Sequence, residues 1–361
     1  MPRRLVARDF PLPQIGADDA LLRVEACGLC GTDHEQYTGV LAAPNGAPFV
    51  PGHETVGVIE RIGRDAARRW GVDEGDRVAV EVFMSCRECD ACRAGSYQRC
   101  AKHGLREMYG YIAADTPPGL WGGYASYQYL AADSIVHRVP EVLDPVLATL
   151  FNPLGAGVRW AGTVPGTKHG DVVAVLGPGI RGICSVVSAK EAGAEFVMVT
   201  GAGHHDELRL AAAKAFGADL CVDVRASDPV AALREATGRL ADVVVDVTAK
   251  APEALAQALA LVRRGGTVVM AGTRGSAETP GFYPDVIVYK EVRIQGALGV
   301  DTPAYRRALE ILTSGRYPFG GLPRRVEGPG RAEDLLATMA GEAVDPPPVH
   351  AVLVPEGSRL T

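Results

Sequence analysis

Residues 171–182 read DVVAVLGPGIRG, an apolar run of strand length that closes on Gly177-Pro-Gly179-Ile180-Arg181-Gly182 and opens a helix-like segment. Three glycines at that spacing, between a strand and a helix, fit few folds. The first permits a tight turn, the second lets a pyrophosphate approach the backbone, and the third lets helix and strand pack closely. The free N–H groups at the head of the helix then face the phosphates. The same alternation continues downstream. Strand-like runs at 196–200, 220–224, 242–247 and 267–271 are separated by helix-like segments at 180–192, 207–216, 229–236 and 252–262. Val-rich runs without polar alternation predict strands buried on both faces, and helical crossovers between them imply a parallel sheet. An ordinary strand–helix turn can carry such glycines, but five strand-like runs in series favour a doubly wound α/β domain that binds a dinucleotide.

At 361 residues the chain is long enough for about two domains. Upstream of residue 165 the texture differs, with short β-like runs at 21–26, 56–62, 76–83, 123–130 and 135–139 separated by Gly and Pro. Such spacing predicts a small twisted or barrel-like β unit. A helix-like stretch at 303–312 and a Pro/Gly-rich tail ending in a strand-like run at 349–354 return to the texture of the first region. We therefore expect a discontinuous first domain, residues 1–150 and 296–361, with the α/β domain, 151–295, inserted in it. Net charge is −6, and no basic stripe offers a footprint for nucleic acid. No apolar run reaches the ~18 residues of a membrane span, and the first residues lack the apolar stretch of a signal peptide. A cytoplasmic protein with no nucleic-acid or membrane partner is expected.

Eight cysteines occur, and four of them fall in Cys86-x2-Cys89-x2-Cys92-x7-Cys100. In a large chain without an export signal, such a cluster reads as a metal site rather than as disulfides. Four thiolates in a short loop close a tetrahedron around zinc and leave no open position, which makes the site structural. An iron–sulfur cluster is the competing use of four thiolates. Upstream, GLCGTDHEQYTG and PGHETVG hold Cys30, His53 and Glu54, ligand types that a catalytic zinc accepts with one position left for water or substrate. Singly, each has a plainer reading: a small buried hydrophobe, a turn residue, a surface charge.

The strand after the glycine turn ends Thr200-Gly201, without the acid that holds the adenosine ribose of NAD. The cofactor is NAD or NADP, and the missing acid leans toward NADP, with Arg209, His204 or His205 available to a 2′-phosphate. The plainer reading puts both histidines on a solvated loop.

Taken together, Gly28-Leu-Cys30-Gly-Thr32-Asp33, Gly52-His53-Glu54, the four-cysteine lobe, Trp121-Gly-Gly-Tyr124-Ala125 and Gly177-x-Gly179-x-x-Gly182 resemble a zinc-dependent medium-chain dehydrogenase/reductase. The resemblance spans essentially the whole chain and is to the sorbitol/threonine/glucose dehydrogenase branch of the alcohol dehydrogenases. It implies an α/β protein, with a GroES-like β-barrel catalytic domain carrying the zinc lobe at 86–100, and a Rossmann domain. It implies reversible hydride transfer between NAD or NADP and a secondary alcohol, polyol or sugar-like substrate, with one structural and one catalytic zinc. Cys30 and His53 would ligate the catalytic zinc, and Glu54 would bind it directly or in exchange with water. Asp33 would orient a ligand, and Thr32 would relay the alcohol proton. Cofactor contacts would fall at Gly177, Gly179, Ile180, Gly182, Thr200, Gly201, Arg209, Val247, Thr248, Gly272 and Leu298. Relatives of this kind are commonly homodimers or homotetramers.

Two positions depart from the pattern. Asn152 stands where a Glu or Cys often supplies a further metal ligand, and Glu35 stands five residues after Cys30 where a relay histidine is common. His34, one position earlier, is expected to point elsewhere. Three other functions are therefore open: a zinc-independent reductase of C=C bonds on the same fold, a non-enzymatic zinc module, and a pseudoenzyme that has lost its catalytic zinc at Asn152. Residues 108–111 and 119–121 and Glu81, Val82 and Phe83 could wall a pocket, and all could equally be strand core, the better reading for Val82 at least.

Overall fold

Every residue of the first long strand, β1 (Ala20–Gly28), is buried except Arg23, which is partly exposed. Such a strand must be flanked on both sides. It pairs antiparallel with β2 (Glu54–Ile62), β4 (Tyr127–Leu130) and the C-terminal β13 (His350–Leu353). With β3 (Arg77–Val80), β5 (Val136–Arg138) and β12 (Arg324–Glu327) these form a seven-stranded sheet, ordered β12-β13-β1-β2-β3-β5 with β4 on β1. Leu22, Ile59, Val78, Val80, Tyr109, Trp121 and Leu130 share its main core. Glu25, a buried acid in β1, is paired with Arg77, which offsets the cost of burying its charge.

The structure, a computed structural model, describes residues 3–41, 46–203, 206–249, 251–275, 277–343 and 347–356. Two compact units result: 1–152 together with 301–361, and 153–300. The sequence reading put the corresponding limits at 150 and 295.

The second unit is a six-stranded parallel sheet. It contains β6 (Val172–Leu176), β7 (Phe196–Gly201), β8 (Leu220–Asp223), β9 (Ala241–Asp246), β10 (Val262–Met270) and β11 (Arg293–Gly296), in the order β11-β10-β9-β6-β7-β8. All of β6 and β9 is buried, as their Val-rich sequences require. The chain enters at β6, builds outward through β7 and β8, then crosses to β9 on the other side of β6. Outside the carboxyl ends of β6 and β9 lies the switch point where doubly wound sheets bind ligands.

The sequence reading missed β11, whose RIQG carries no apolar run. It also missed a π-helical turn, Val158–Thr163, which follows the helix Phe151–Gly157. No helix among the described residues is long and apolar enough to cross a membrane.

Candidate metal centres and dinucleotide cradle

Register brings the first metal group together. In the β1–β2 pair Gly28 faces Glu54, so Cys30 and His53 lie just beyond the same end of the two strands. Gly52 makes the entry to β2 possible. Its φ is +95°, and a Cβ there would fall 2.5 Å from the Tyr124 ring and 2.9 Å from Cys27 Sγ. Cys30 then caps the helix Gly31–Thr38. The ligand atoms of Cys30, His53 and Glu54 all lie within 4.8 Å of one another, and all three residues are buried.

Asp33 holds two of these residues at once. Its Oδ2 accepts from the Cys30 backbone N–H at 2.7 Å, and its Oδ1 lies 3.4 Å from His53 Nδ1. The second contact is long for a hydrogen bond, and both atoms are otherwise unpartnered. A carboxylate behind a ligating imidazole fixes the ring and its tautomer, and here it leaves Nε2 for a metal. Nε2 is 3.4 Å from Thr32 Oγ1. Burial opposes protonation of His53, but the Asp33 carboxylate outweighs it and holds the imidazole well above its ordinary range. Nearby Cys27, by contrast, is fully buried, and its thiol is pushed up to about 12, so it stays protonated and inert.

Asn152 is buried, and its Nδ2 donates to the Tyr305 hydroxyl at 3.2 Å. His34 faces away from this centre: its Nε2 lies 2.9 Å from Glu342 Oε1. The expected pocket walls divide. Tyr111 stands 5.9 Å from the His53 ring, beside the metal group. Tyr109 and Trp121 are core residues, with the indole N–H donating to Thr116 O, so they do not wall a pocket. Val82 and Phe83 are core as well. Glu81 is fully buried and accepts from Tyr97 OH and, at 2.7 Å, from Thr302 Oγ1, while His137 Nε2 also lies 2.7 Å away.

The sulfurs of Cys86, Cys89, Cys92 and Cys100 also lie within 4.8 Å of one another, and Cys86 and Cys92 are 3.7 Å apart. A tetrahedron of ~2.3 Å Zn–S bonds has edges of about 3.8 Å. The donor set thus fits a closed zinc site, and none of the eight cysteines forms a disulfide. Burial opposes ionisation of Cys100, but N–H groups, among them that of His103 at 3.5 Å, bring its thiol down to about 6. Burial pushes Cys92 up to about 11. Metal binding must deprotonate it.

In the second unit the glycine turn has the form that its spacing predicts. Gly177 has φ +102°, and a Cβ on Gly182 would fall 1.9 Å from Gly177 O. A Cβ on Gly179 would meet nothing within 4 Å, leaving open space at the head of the helix Ile180–Glu191. An anion fits there. Thr200 O accepts from Gly177 N–H, and Val247 N–H donates to Leu176 O. Thr248 donates its N–H and hydroxyl to Asp246, and Gly272 N–H donates to Asp246 O. These residues therefore gather at the carboxyl ends of β6, β7, β9 and β10. Leu298 is half exposed, and its carbonyl accepts from Arg159. Arg209 is engaged locally, with Nη1 3.3 Å from Asp206 Oδ1. His204 and His205 lie outside the described residues.

One chain that carries both a dinucleotide-binding α/β unit and a β unit with two metal groups belongs to a class of zinc-dependent oxidoreductases. Comparison with known proteins agrees. Residues 16–141 match the alcohol dehydrogenase GroES-like domain, and residues 182–314 match the zinc-binding dehydrogenase domain. A Mycobacterium tuberculosis protein described as a "probable alcohol dehydrogenase" is 68% identical over 98% of this chain and 96% of its own length. Sorbitol dehydrogenase of Bacillus subtilis is 32% identical over 87% of this chain and 84% of its own. A zinc-binding dehydrogenase structure from Sinorhizobium meliloti, with NADP bound, superposes with a TM-score of 0.81 at 27% identity, covering 96% of this chain and 95% of that one. The chain belongs to the zinc-dependent medium-chain dehydrogenase/reductase family.

Proposed function

We propose that this protein is a zinc-dependent, NAD(P)-linked alcohol dehydrogenase that interconverts a secondary alcohol or polyol and its carbonyl. The observation that carries the reading is the buried group of Cys30, His53 and Glu54, with Asp33 behind it. A zinc-independent reductase has no use for such a set, and neither does a purely structural zinc module.

When bound, zinc supplies Lewis acidity to the alcohol or carbonyl oxygen, and the nicotinamide accepts or returns the hydride. Cys30 and His53 would hold the metal, with Glu54 as a third, exchangeable donor. Asp33 holds the imidazole in one orientation through Nδ1. Thr32 Oγ1, close to His53 Nε2, is placed to accept the alcohol proton and release it in the reverse direction. Tyr111 packs beside these groups and excludes water. Gly177, Gly179 and Gly182 seat the pyrophosphate at the head of the helix that begins at Ile180, and Gly182 holds that helix against the turn.

Metal analysis and an alcohol panel test the reading. The purified protein is expected to contain about two zincs per chain and to reduce NAD(P) with at least one secondary alcohol or polyol. A picolinate-type chelator that removes about one zinc should stop turnover. One zinc per chain with no turnover would instead identify the pseudoenzyme, and none would identify the zinc-independent reductase.

Self-association through the second unit is part of the same proposal. β11 is the edge of its sheet, and the neighbouring Tyr283, Val288 and Tyr289 are 72%, 70% and 73% exposed. An open edge beside apolar side chains favours pairing with a second copy. Light scattering should give a dimer or tetramer, and Val288→Glu with Tyr289→Glu should shift it to monomer. A monomeric wild type would reject this part alone. Eight free thiols suit a reducing compartment, which supports a cytoplasmic location.

A further inference from the structure

In dinucleotide-binding α/β folds the turn after the second strand reads the adenosine ribose, and here that strand is β7. β7 ends in Gly201, so no side chain stands where an acid would accept from a ribose 2′-hydroxyl. Two carboxylates lie near the turn, and both are turned onto its backbone. Asp206 Oδ2 accepts from Ala202 N–H at 2.8 Å, while its Oδ1 pairs with Arg209. Asp223, opposite Gly201 in the β7–β8 register, accepts with Oδ1 from Gly203 N–H at 3.0 Å and from Arg225 N–H at 2.9 Å.

Backbone N–H groups of Arg225 and Gly203, and to a lesser extent the Arg225 charge, hold the Asp223 carboxyl below its usual range. The Arg225 side chain lies against Gly203: an ideal Cβ there would fall 2.6 Å from Arg225 Nη1 and 3.3 Å from Cζ. Gly203 has φ +81° and no Cβ, so the turn leaves room for the guanidinium against it. Among the described residues that guanidinium has no hydrogen-bond or ion-pair partner, and Arg225 is exposed. A planar, permanently charged fork over a backbone turn suits a phosphate monoester. A ribose hydroxyl gives it nothing comparable to bind.

We propose that Arg225, reaching over the turn at 201–203 from the end of β8, binds the 2′-phosphate of NADP and makes this enzyme prefer NADP(H) to NAD(H). Arg209, which the sequence suggests for this role, pairs with Asp206 through Nη1 and plays a lesser part. The proposal rests on the dinucleotide-binding reading above and specifies which dinucleotide that site takes.

Equilibrium binding of NADPH and NADH to the full chain, by titration calorimetry at low and moderate salt, tests it without turnover. Wild-type protein is expected to bind NADPH at least about tenfold more tightly than NADH. Arg225→Ala should weaken NADPH about tenfold, or ~1.4 kcal/mol, leave NADH within about twofold, and flatten the salt dependence of NADPH binding. Arg225→Lys should restore part of the preference, since a point charge replaces the fork. A wild type that favours NADH overturns the proposal while leaving the dehydrogenase reading intact. So does an Arg225→Ala variant that weakens both dinucleotides equally, or neither. Failure of both dinucleotides to bind would remove the dehydrogenase reading and the proposal together.

Discussion

Cys92→Ser should leave the protein largely insoluble, with no more than about one zinc per chain in whatever fraction can be recovered. The lobe at 86–100 contains little regular structure: a four-residue helix, Asp90–Arg93, and a single 3-10 turn, Tyr97–Arg99. So short a segment cannot hold itself by backbone bonding alone. In small zinc domains metal binding contributes about 10–16 kcal/mol of apparent free energy, which becomes folding energy because no site exists in the unfolded chain. That is as large as the roughly 5–15 kcal/mol by which a whole domain is stable. The damage should not stop at the lobe. Tyr97, at its far end, donates to Glu81, and a fully buried carboxylate that loses a donor is costly. Tyr97 and Cys92 also pack with Val82, Phe83, Met108 and Tyr111, so loosening the lobe loosens the residue beside His53. Soluble yield, zinc content and thermal melting measure the effect. A soluble variant with wild-type melting and turnover would show that the lobe is dispensable.

Cys30→Ser should have the opposite signature: normal solubility, one zinc retained, and turnover down by about 10³-fold or more. A hydroxyl in place of a thiolate weakens the buried metal group, and the several kilocalories per mole that a Lewis-acidic ion gives a transition state correspond to at least three powers of ten in rate. Dinucleotide binding should stay within about twofold of wild type. Cys30 belongs to the first unit, whereas Gly177, Gly179 and Gly182 belong to the second. Steady-state rates, metal analysis and calorimetric titration of the cofactor separate these effects. Loss of turnover together with loss of dinucleotide binding would contradict the assignment of separate roles to the two units.

Most of the architecture was legible because its signals are local. The Val-rich strands announce burial on both faces, the glycine turn announces its own geometry, and four cysteines within fifteen positions announce a metal. The metal group was less legible: its residue types are suggestive, but Cys30 and His53 lie 23 residues apart and meet through the pairing of Gly28 with Glu54. Where sequence reading failed, the cause lay in partners remote along the chain. Tyr109 and Trp121 resemble pocket aromatics until β4 and Ile112 enclose them. Glu81 looks like a pocket carboxylate until Tyr97, His137 and Thr302 converge on it from three segments. β11 lacked a hydrophobic signature because it is polar and lies at an edge. Arg225 follows a different strand from the turn it covers, and only the pairing of β7 with β8 brings the two together.

Asp33 touches no substrate in this scheme, yet its two oxygens face the Cys30 N–H and the His53 ring. Thiolate and imidazole therefore cannot drift independently, because a tilt of the Gly31–Thr38 helix would move both. Metal retention would in this way rest on a residue outside the ligand set, and substitution of Asp33 should show first as metal lost to a chelator.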